Sequence, residues 1–146
     1  MEIIRGTIRE LKDIVRLALM LWPDDYSEEE FNVHFNKLLN NQDAVIFLAK
    51  EKDEYVGFAH CQLRHDYVEG TETSPVGYLE GIYVMQEHRK KGIGRALVNY
   101  CENWSREKGC VEFASDTELE NIDSLKFHLK VGFKEASRLI CFTKRL

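Results

Sequence analysis

The chain has little of what would staple a small protein covalently or carry it into a membrane. Its four cysteines, Cys61, Cys101, Cys110 and Cys141, make no CxxC pair and have no histidine at zinc-ligand spacing. Neither a disulfide framework nor a metal site is therefore expected, and the cysteines read as reduced, mostly buried thiols. No apolar run approaches the roughly 20 residues of a membrane span. The start, Met1-Glu2-Ile3-Ile4-Arg5, lacks the basic segment and apolar core of a signal peptide, so a cytoplasmic protein without membrane contact is expected. Positive charge is also short. Lys+Arg 20 against Asp+Glu 25 gives a net charge of −5, which argues against nucleic acid as a partner and favours a cationic one. Only two prolines and nine glycines interrupt the chain, and 44% of it is apolar against 31% charged, which excludes a disordered or linker-rich chain. A chain of 146 residues can bury roughly 70% of its unfolded surface without a staple, so residues 1–146 are expected to form one domain.

What is present is an orderly succession of elements. Residues 2–8 read as a short strand. Thr7 and Glu10 have capping-box spacing, and Leu11, Ile14, Val15, Ala18, Leu19 and Trp22 follow on one helical face that Pro23 ends. Ser27 and Glu30 form a second box, ahead of the apolar face Phe31, His34, Phe35 and Leu38. Residues 44–49 and 55–68 predict a hairpin, and residues 76–84 a further strand. The cleanest helical stripe is Ile93, Ala96, Leu97, Tyr100, Cys101 and Trp104, closed by Lys108 and Gly109. A strand over 111–115, a helix over 121–131 stopped by Gly132, and strands over 133–137 and 139–143 complete the order. Hairpins early and crossovers late imply an α/β (α+β) fold, a mixed, mostly antiparallel central sheet flanked by helices on both faces.

The most informative stretch runs from Tyr78-Leu79-Glu80-Gly81-Ile82-Tyr83-Val84 into Arg89-Lys90-Lys91-Gly92-Ile93-Gly94. A strand leads through a basic loop into a helix whose first turn holds two glycines. Free amides at a helix start attract phosphate, and glycine permits close approach to the backbone. The P-loop pattern is absent, and Leu97 stands where a dinucleotide fingerprint needs its third glycine. Spacing alone leaves two readings open: phosphate binding, or a helix that begins with glycines after a solvated basic turn.

With its preceding strand and the later Phe127-His128-Leu129-Lys130-Val131-Gly132-Phe133, this loop resembles the signature of the GCN5-related N-acetyltransferases (GNAT). The resemblance covers the whole chain in order. Within that superfamily, Leu21-Trp22-Pro23, Arg64-His65-Asp66-Tyr67-Val68, Ser74-Pro75-Val76, Leu79-Glu80-Gly81-Ile82 and Ala114-Ser115-Asp116-Thr117 resemble bacterial aminoglycoside 6'-N-acetyltransferases. The resemblance implies a GNAT fold with acetyl-coenzyme A as co-substrate. It also implies direct attack by the 6'-amine of a cationic aminosugar in a ternary complex, with antibiotic resistance as the consequence. The donor's amide-bearing arm would pair with the backbone of Ile82, Tyr83 and Val84. Its phosphates would sit on Arg89, Lys90, Lys91, Gly92, Ile93 and Gly94, and Asn121 would lie near the thiol. A backbone amide after Glu80 is the natural oxyanion donor. Relatives are commonly dimers sharing C-terminal strands, which residues 133–143 could supply.

Glu80 is the first acid to weigh. In a flat strand it shares a face with Tyr78, Ile82 and Val84, an odd setting for a carboxylate unless it is paired or functional. The resemblance places it at the reacting amine, as an ammonium anchor or as a base acting directly or through water; the plain alternative is a salt-bridged structural acid. Asp116 follows the strand that ends at Ser115 and reads as a second carboxylate for a polycation, or as a turn aspartate. Trp22 and Tyr67 are candidate aromatic walls for an aminosugar, with core packing a rival role for Trp22. The resemblance puts His128 where many relatives carry a tyrosine thought to protonate the thiolate, and a satisfied core histidine is an equal reading. The run Asp24, Asp25, Glu28, Glu29, Glu30 suits a helix start and adds negative potential beside it. Two other functions fit the same residues less closely: acetylation of another amine (a polyamine, a small metabolite or a protein N-terminus) and non-catalytic sensing of acyl-coenzyme A.

Overall fold

The structure is a computed structural model that describes residues 1–146. Strand β1 (Glu2–Arg5) is shorter than its apolar pattern predicts. Thr7 turns the chain by capping a 3-10 turn at Ile8–Glu10, with the Thr7 amide donating to Glu10 Oε2 at 2.9 Å. A capping residue holds extended backbone while its side chain serves the next turn, so the strand ends before it. Helix α1 (Leu11–Leu21) buries Ile14, Val15, Leu17 and Ala18 and stops at Trp22. Helix α2 (Glu28–Leu39) starts at the Ser27–Glu30 box and buries Phe31, Phe35 and Leu38. His34, predicted on that face, is exposed at its border.

Strands β2 (Ala44–Glu51) and β3 (Glu54–Arg64) form the expected hairpin around a tight turn in which Lys52 takes a left-handed φ of 54°. Strand β4 (Val76–Val84) matches its predicted bounds. After it come helix α3 (Ile93–Glu107), strand β5 (Phe113–Ser115) and helix α4 (Ile122–Lys130). One five-stranded sheet runs β1-β2-β3-β4-β5, antiparallel at its first three junctions and parallel between β4 and β5.

Both faces of the sheet are covered, because successive strand residues point to opposite sides. Ala44, Ile46 and Leu48 pack with Phe58 under α1 and α2. Val45, Phe47 and Ala49 pack with Ile93, Leu97, Val98, Cys101 and Trp104 of α3 on the other face. Tyr100, predicted within that stripe, is 45% exposed, and Val98 occupies the core instead; Tyr100 meets the Phe47 ring edge-on at 5.5 Å. Cys61, Cys101 and Cys110 are buried free thiols, and Cys141 is exposed.

Two strand predictions are corrected. Strand β5 is confined to three residues and Val111 lies exposed before it. The segments 133–137 and 139–143 form no strands. The sheet ends at β5 with its outer edge open, and Leu139, Ile140 and Phe142 stand exposed.

Candidate functional site

The site is built on a defect in the sheet. Opposite β3, His60 pairs with Gly81 and Cys61 with Leu79, so Glu80 is an extra residue on β4. Such a bulge reverses the in–out alternation beyond it. Leu79 packs on the α3 side, and so do Ile82 and Val84, while Tyr83 packs with α1 and α2. Glu80 therefore shares its face with Tyr78, Gly81 and Tyr83, and the predicted grouping with Ile82 and Val84 is corrected. Gly81 is needed for this arrangement. A Cβ there would lie 2.5 Å from Cη2 of Trp22, whose ring also packs on Phe31 at 6.1 Å and edge-on to Phe58 at 6.3 Å.

Glu80 is paired. Arg64 at the end of β3 grips both its oxygens, Nε to Oε1 and Nη2 to Oε2, each at 2.8 Å. The guanidinium lies 3.4 Å above the centroid of the Tyr78 ring, and the Tyr78 hydroxyl donates to Asp116 Oδ2. The two predicted acids are thus joined through a cation and a ring. The hydrogen bond to Glu80 raises the Arg64 pKa further above its ordinary value. Burial, reinforced by the bond to Asp116, pushes the Tyr78 hydroxyl well up.

Glu80 lines a cleft of about 820 Å³ together with Trp22, Asp25, Glu29, Glu30 and His60. This is an anionic cavity with an aromatic wall, which suits a polycation. On its floor His60 is buried, its Nε2 has no hydrogen-bond partner, and burial lowers its pKa to about 4, so the imidazole is neutral near pH 7. A second cavity of about 460 Å³ is lined by Asp43, Gln62, Arg64, His65, Asp66 and Tyr67. Gln62 borders both. Tyr67 therefore stands apart from Trp22, 79% exposed, and Asp116 lines neither cavity.

On the side that the resemblance assigns to the coenzyme, β5 accompanies β4 only from Gly77 to Leu79, so the edge of β4 carrying Ile82, Tyr83 and Val84 has no strand beside it there. Arg89 folds back over the Tyr83 ring at 5.4 Å, and its Nε donates to the Val84 carbonyl at 2.7 Å. Lys90 and Gly92 take left-handed φ values of 61° and 84°. Gly92 caps α3 with no side chain, so the first amides of the helix meet no side-chain partner, as an anion site requires. Gly94 has a packing role as well, since a Cβ would lie 2.9 Å from Phe127 Cε2. Lys90 and Lys91 are exposed beside these amides. The Asn121 side-chain oxygen caps α4, accepting from the Ser124 amide at 3.1 Å.

His128 is half-buried with both ring nitrogens engaged. Nδ1 donates to the Ser124 carbonyl at 2.7 Å, and Nε2 lies 2.9 Å from Ser115 Oγ, which itself lies 3.1 Å from the Leu79 carbonyl. It packs against the rings of Phe127 and Phe133. Arg64, Tyr78, His60 and Ser115 are the site side chains that periodicity did not single out. Arg64 lay within a segment carrying the resemblance, but only the β3–β4 register brings it to Glu80.

The model of the acetyltransferase (GNAT) family matches residues 11–133. The chain is 38% identical over 136 residues to an aminoglycoside N(6')-acetyltransferase type 1 of Acinetobacter haemolyticus, covering 93% of this chain and 92% of that one. It is 44% identical over 129 residues to the protein of the same name from Stenotrophomonas maltophilia, covering 87% and 82%. Among solved structures it is similar to AAC(6')-Iy in complex with the bisubstrate analog CoA-S-monomethyl-acetylneamine. That match has a TM-score of 0.95 and 34% identity, and it covers 99% of this chain and 98% of the other.

Proposed function

The chain belongs to the acetyltransferase (GNAT) family, and on that premise we propose that it transfers the acetyl group of acetyl-coenzyme A to the 6'-amine of aminoglycosides, conferring resistance. The observation that carries this reading is the pairing of two unlike sites across the sheet. One is an anionic, aromatic-walled cleft closed by Glu80. The other is a helix start at Gly92 whose amides lack side-chain caps and which lies at the opened edge of β4.

The donor fits the second site: glycine backbone and flanking lysines suit its phosphates, and the free edge at Ile82, Tyr83 and Val84 suits its amide-bearing arm. The bound donor supplies an activated thioester. Glu80, in the wall of the cleft, anchors the ammonium and draws off its proton directly or through a water. The backbone amide after Glu80 lies at the bulge beside the reacting amine and is suited to stabilise negative charge developing on the carbonyl oxygen. Trp22 bounds the sugar within the larger cavity, Tyr67 bounds the smaller, and Asp116 adds negative charge behind Tyr78. Asn121 keeps its amide group free to approach the donor while its oxygen caps α4.

Residues 1–146 act in this reading as one N-acetyltransferase domain. The protein works as a homodimer, supported by the exposed apolar Leu139, Ile140 and Phe142 and the unpaired outer edge of β5. It acts in the cytoplasm, where its donor is made; no helix is long and apolar enough to cross a membrane.

Thiol release from acetyl-coenzyme A with kanamycin, tobramycin, spermidine and a short peptide as parallel acceptors tests the function. Turnover with the aminoglycosides alone is expected. Turnover with only spermidine or peptide would move the activity to another amine, and donor binding with no turnover on any of the four would leave either an amine outside the panel or an acyl-coenzyme A sensor.

A further inference from the structure

Glu80 and Asp116 are the two acids assigned to the acceptor side, yet in the structure neither is free, and one side chain explains both. Arg64 holds Glu80 at two points and lies flat on the ring whose hydroxyl binds Asp116. It also lines the smaller cavity while Glu80 lines the larger, so the ion pair forms part of the wall between them. A two-point contact fixes the plane of a carboxylate as well as its distance, and a guanidinium stacked on a ring gains a second constraint that an ammonium does not. A surface ion pair with neither feature would contribute little.

We propose that Arg64 is the positioning residue of the acceptor site: it orients Glu80 toward the larger cavity and, through Tyr78, ties Glu80 and Asp116 into one anionic recognition unit. Arg64 saturates one side of the Glu80 carboxylate. The remaining lone pairs are left for a cationic acceptor entering from the cleft, and the acceptor adds to the ion pair rather than displacing it. The inference rests on the acceptor-site reading above.

The test compares Arg64→Ala, Arg64→Lys, Glu80→Gln, Asp116→Asn and the double variant Arg64→Ala/Asp116→Asn in steady-state kinetics, with acetyl-coenzyme A binding measured by calorimetry. For Arg64→Ala, kcat/KM for kanamycin is expected to fall roughly tenfold to hundredfold, with coenzyme affinity unchanged. Millimolar guanidinium should restore part of the loss, and sodium at the same ionic strength should not. Arg64→Lys keeps the charge but not the fork, and should retain the fold while losing most of the same activity. Asp116→Asn should cost clearly less in the Arg64→Ala background than in the wild type, although residues 64 and 116 do not touch. Multiplicative single effects, a lysine variant as active as wild type, or a parallel loss of coenzyme binding would each overturn the proposal. If Glu80→Gln and Asp116→Asn themselves leave acceptor kinetics unchanged, the acceptor-site reading falls and the proposal with it. If they impair those kinetics and Arg64→Ala does not, only the proposal falls.

Discussion

Gly81→Ala probes the point where fold and site meet. The new Cβ would lie 2.5 Å from Cη2 and 2.9 Å from Cζ2 of Trp22, well inside contact distance, with Leu21 Cδ2 at 3.5 Å behind. The backbone at Gly81 is not left-handed, so the cost is steric and falls on the indole alone. Trp22 is itself held between Phe31 and Phe58, so the ring cannot retreat freely. One extra methyl forced into such packing costs about 1–3 kcal/mol. At this chain length each kcal/mol shifts the melting temperature by roughly 2–4 °C, so a fall of about 5 °C is expected. The displaced indole should also raise KM for aminoglycosides several-fold and leave KM for acetyl-coenzyme A unchanged. Adding Trp22→Phe removes the two clashing atoms, so the double variant should recover the lost melting temperature, a non-additivity expected of residues in contact. Calorimetric melting of the four proteins, with kinetics alongside, is the assay. A Gly81→Ala protein that melts and turns over as wild type, or additive effects in the cycle, would refute the seating of Trp22 on the bulge.

Three further outcomes follow from single features. His60 takes its proton near pH 6.5 when unfolded but only near pH 4 when buried. The stability this group contributes is therefore complete above about pH 6.5 and is lost as pH falls toward 4, by about 3 kcal/mol; His60→Gln should flatten melting temperature against pH in that window, and an unchanged slope would contradict it. Gly92→Ala meets no neighbour but must hold a φ of 84°, at about 1–2 kcal/mol, and should weaken acetyl-coenzyme A binding while sparing acceptor KM. Ile140→Asp with Phe142→Asp should convert a dimer to a monomer in sedimentation velocity; a wild-type protein that sediments as a monomer contradicts the dimer.

Local chemistry was legible in the sequence where a few neighbouring residues decide the outcome. The Thr7 and Ser27 capping boxes, the α3 stripe and the bounds of β4 depend on spacing along one element. What was not legible depends on how distant segments meet. A bulge is a mismatch between two strands, so no pattern within β4 alone shows that Ile82 and Val84 turn away from Glu80. Arg64 and Tyr78 are 14 positions apart and become a stacked pair only through that same register. Leu17 and Val98 are buried because the helical faces are wider than the stripes drawn from spacing. Residues 133–143 have the apolar character of strands, but they pair neither with one another nor with the open outer edge of β5, and no pattern within them shows that.

The central claim is acetyl transfer to one particular amine, and neomycin and paromomycin separate it from every broader activity because they carry an amine and a hydroxyl respectively at the 6' position. Thiol release from acetyl-coenzyme A should be rapid with neomycin and near background with paromomycin, and the neomycin product should gain a single acetyl group at the 6' nitrogen by NMR. Equal rates with the two acceptors, or acetylation at another nitrogen, would contradict the account.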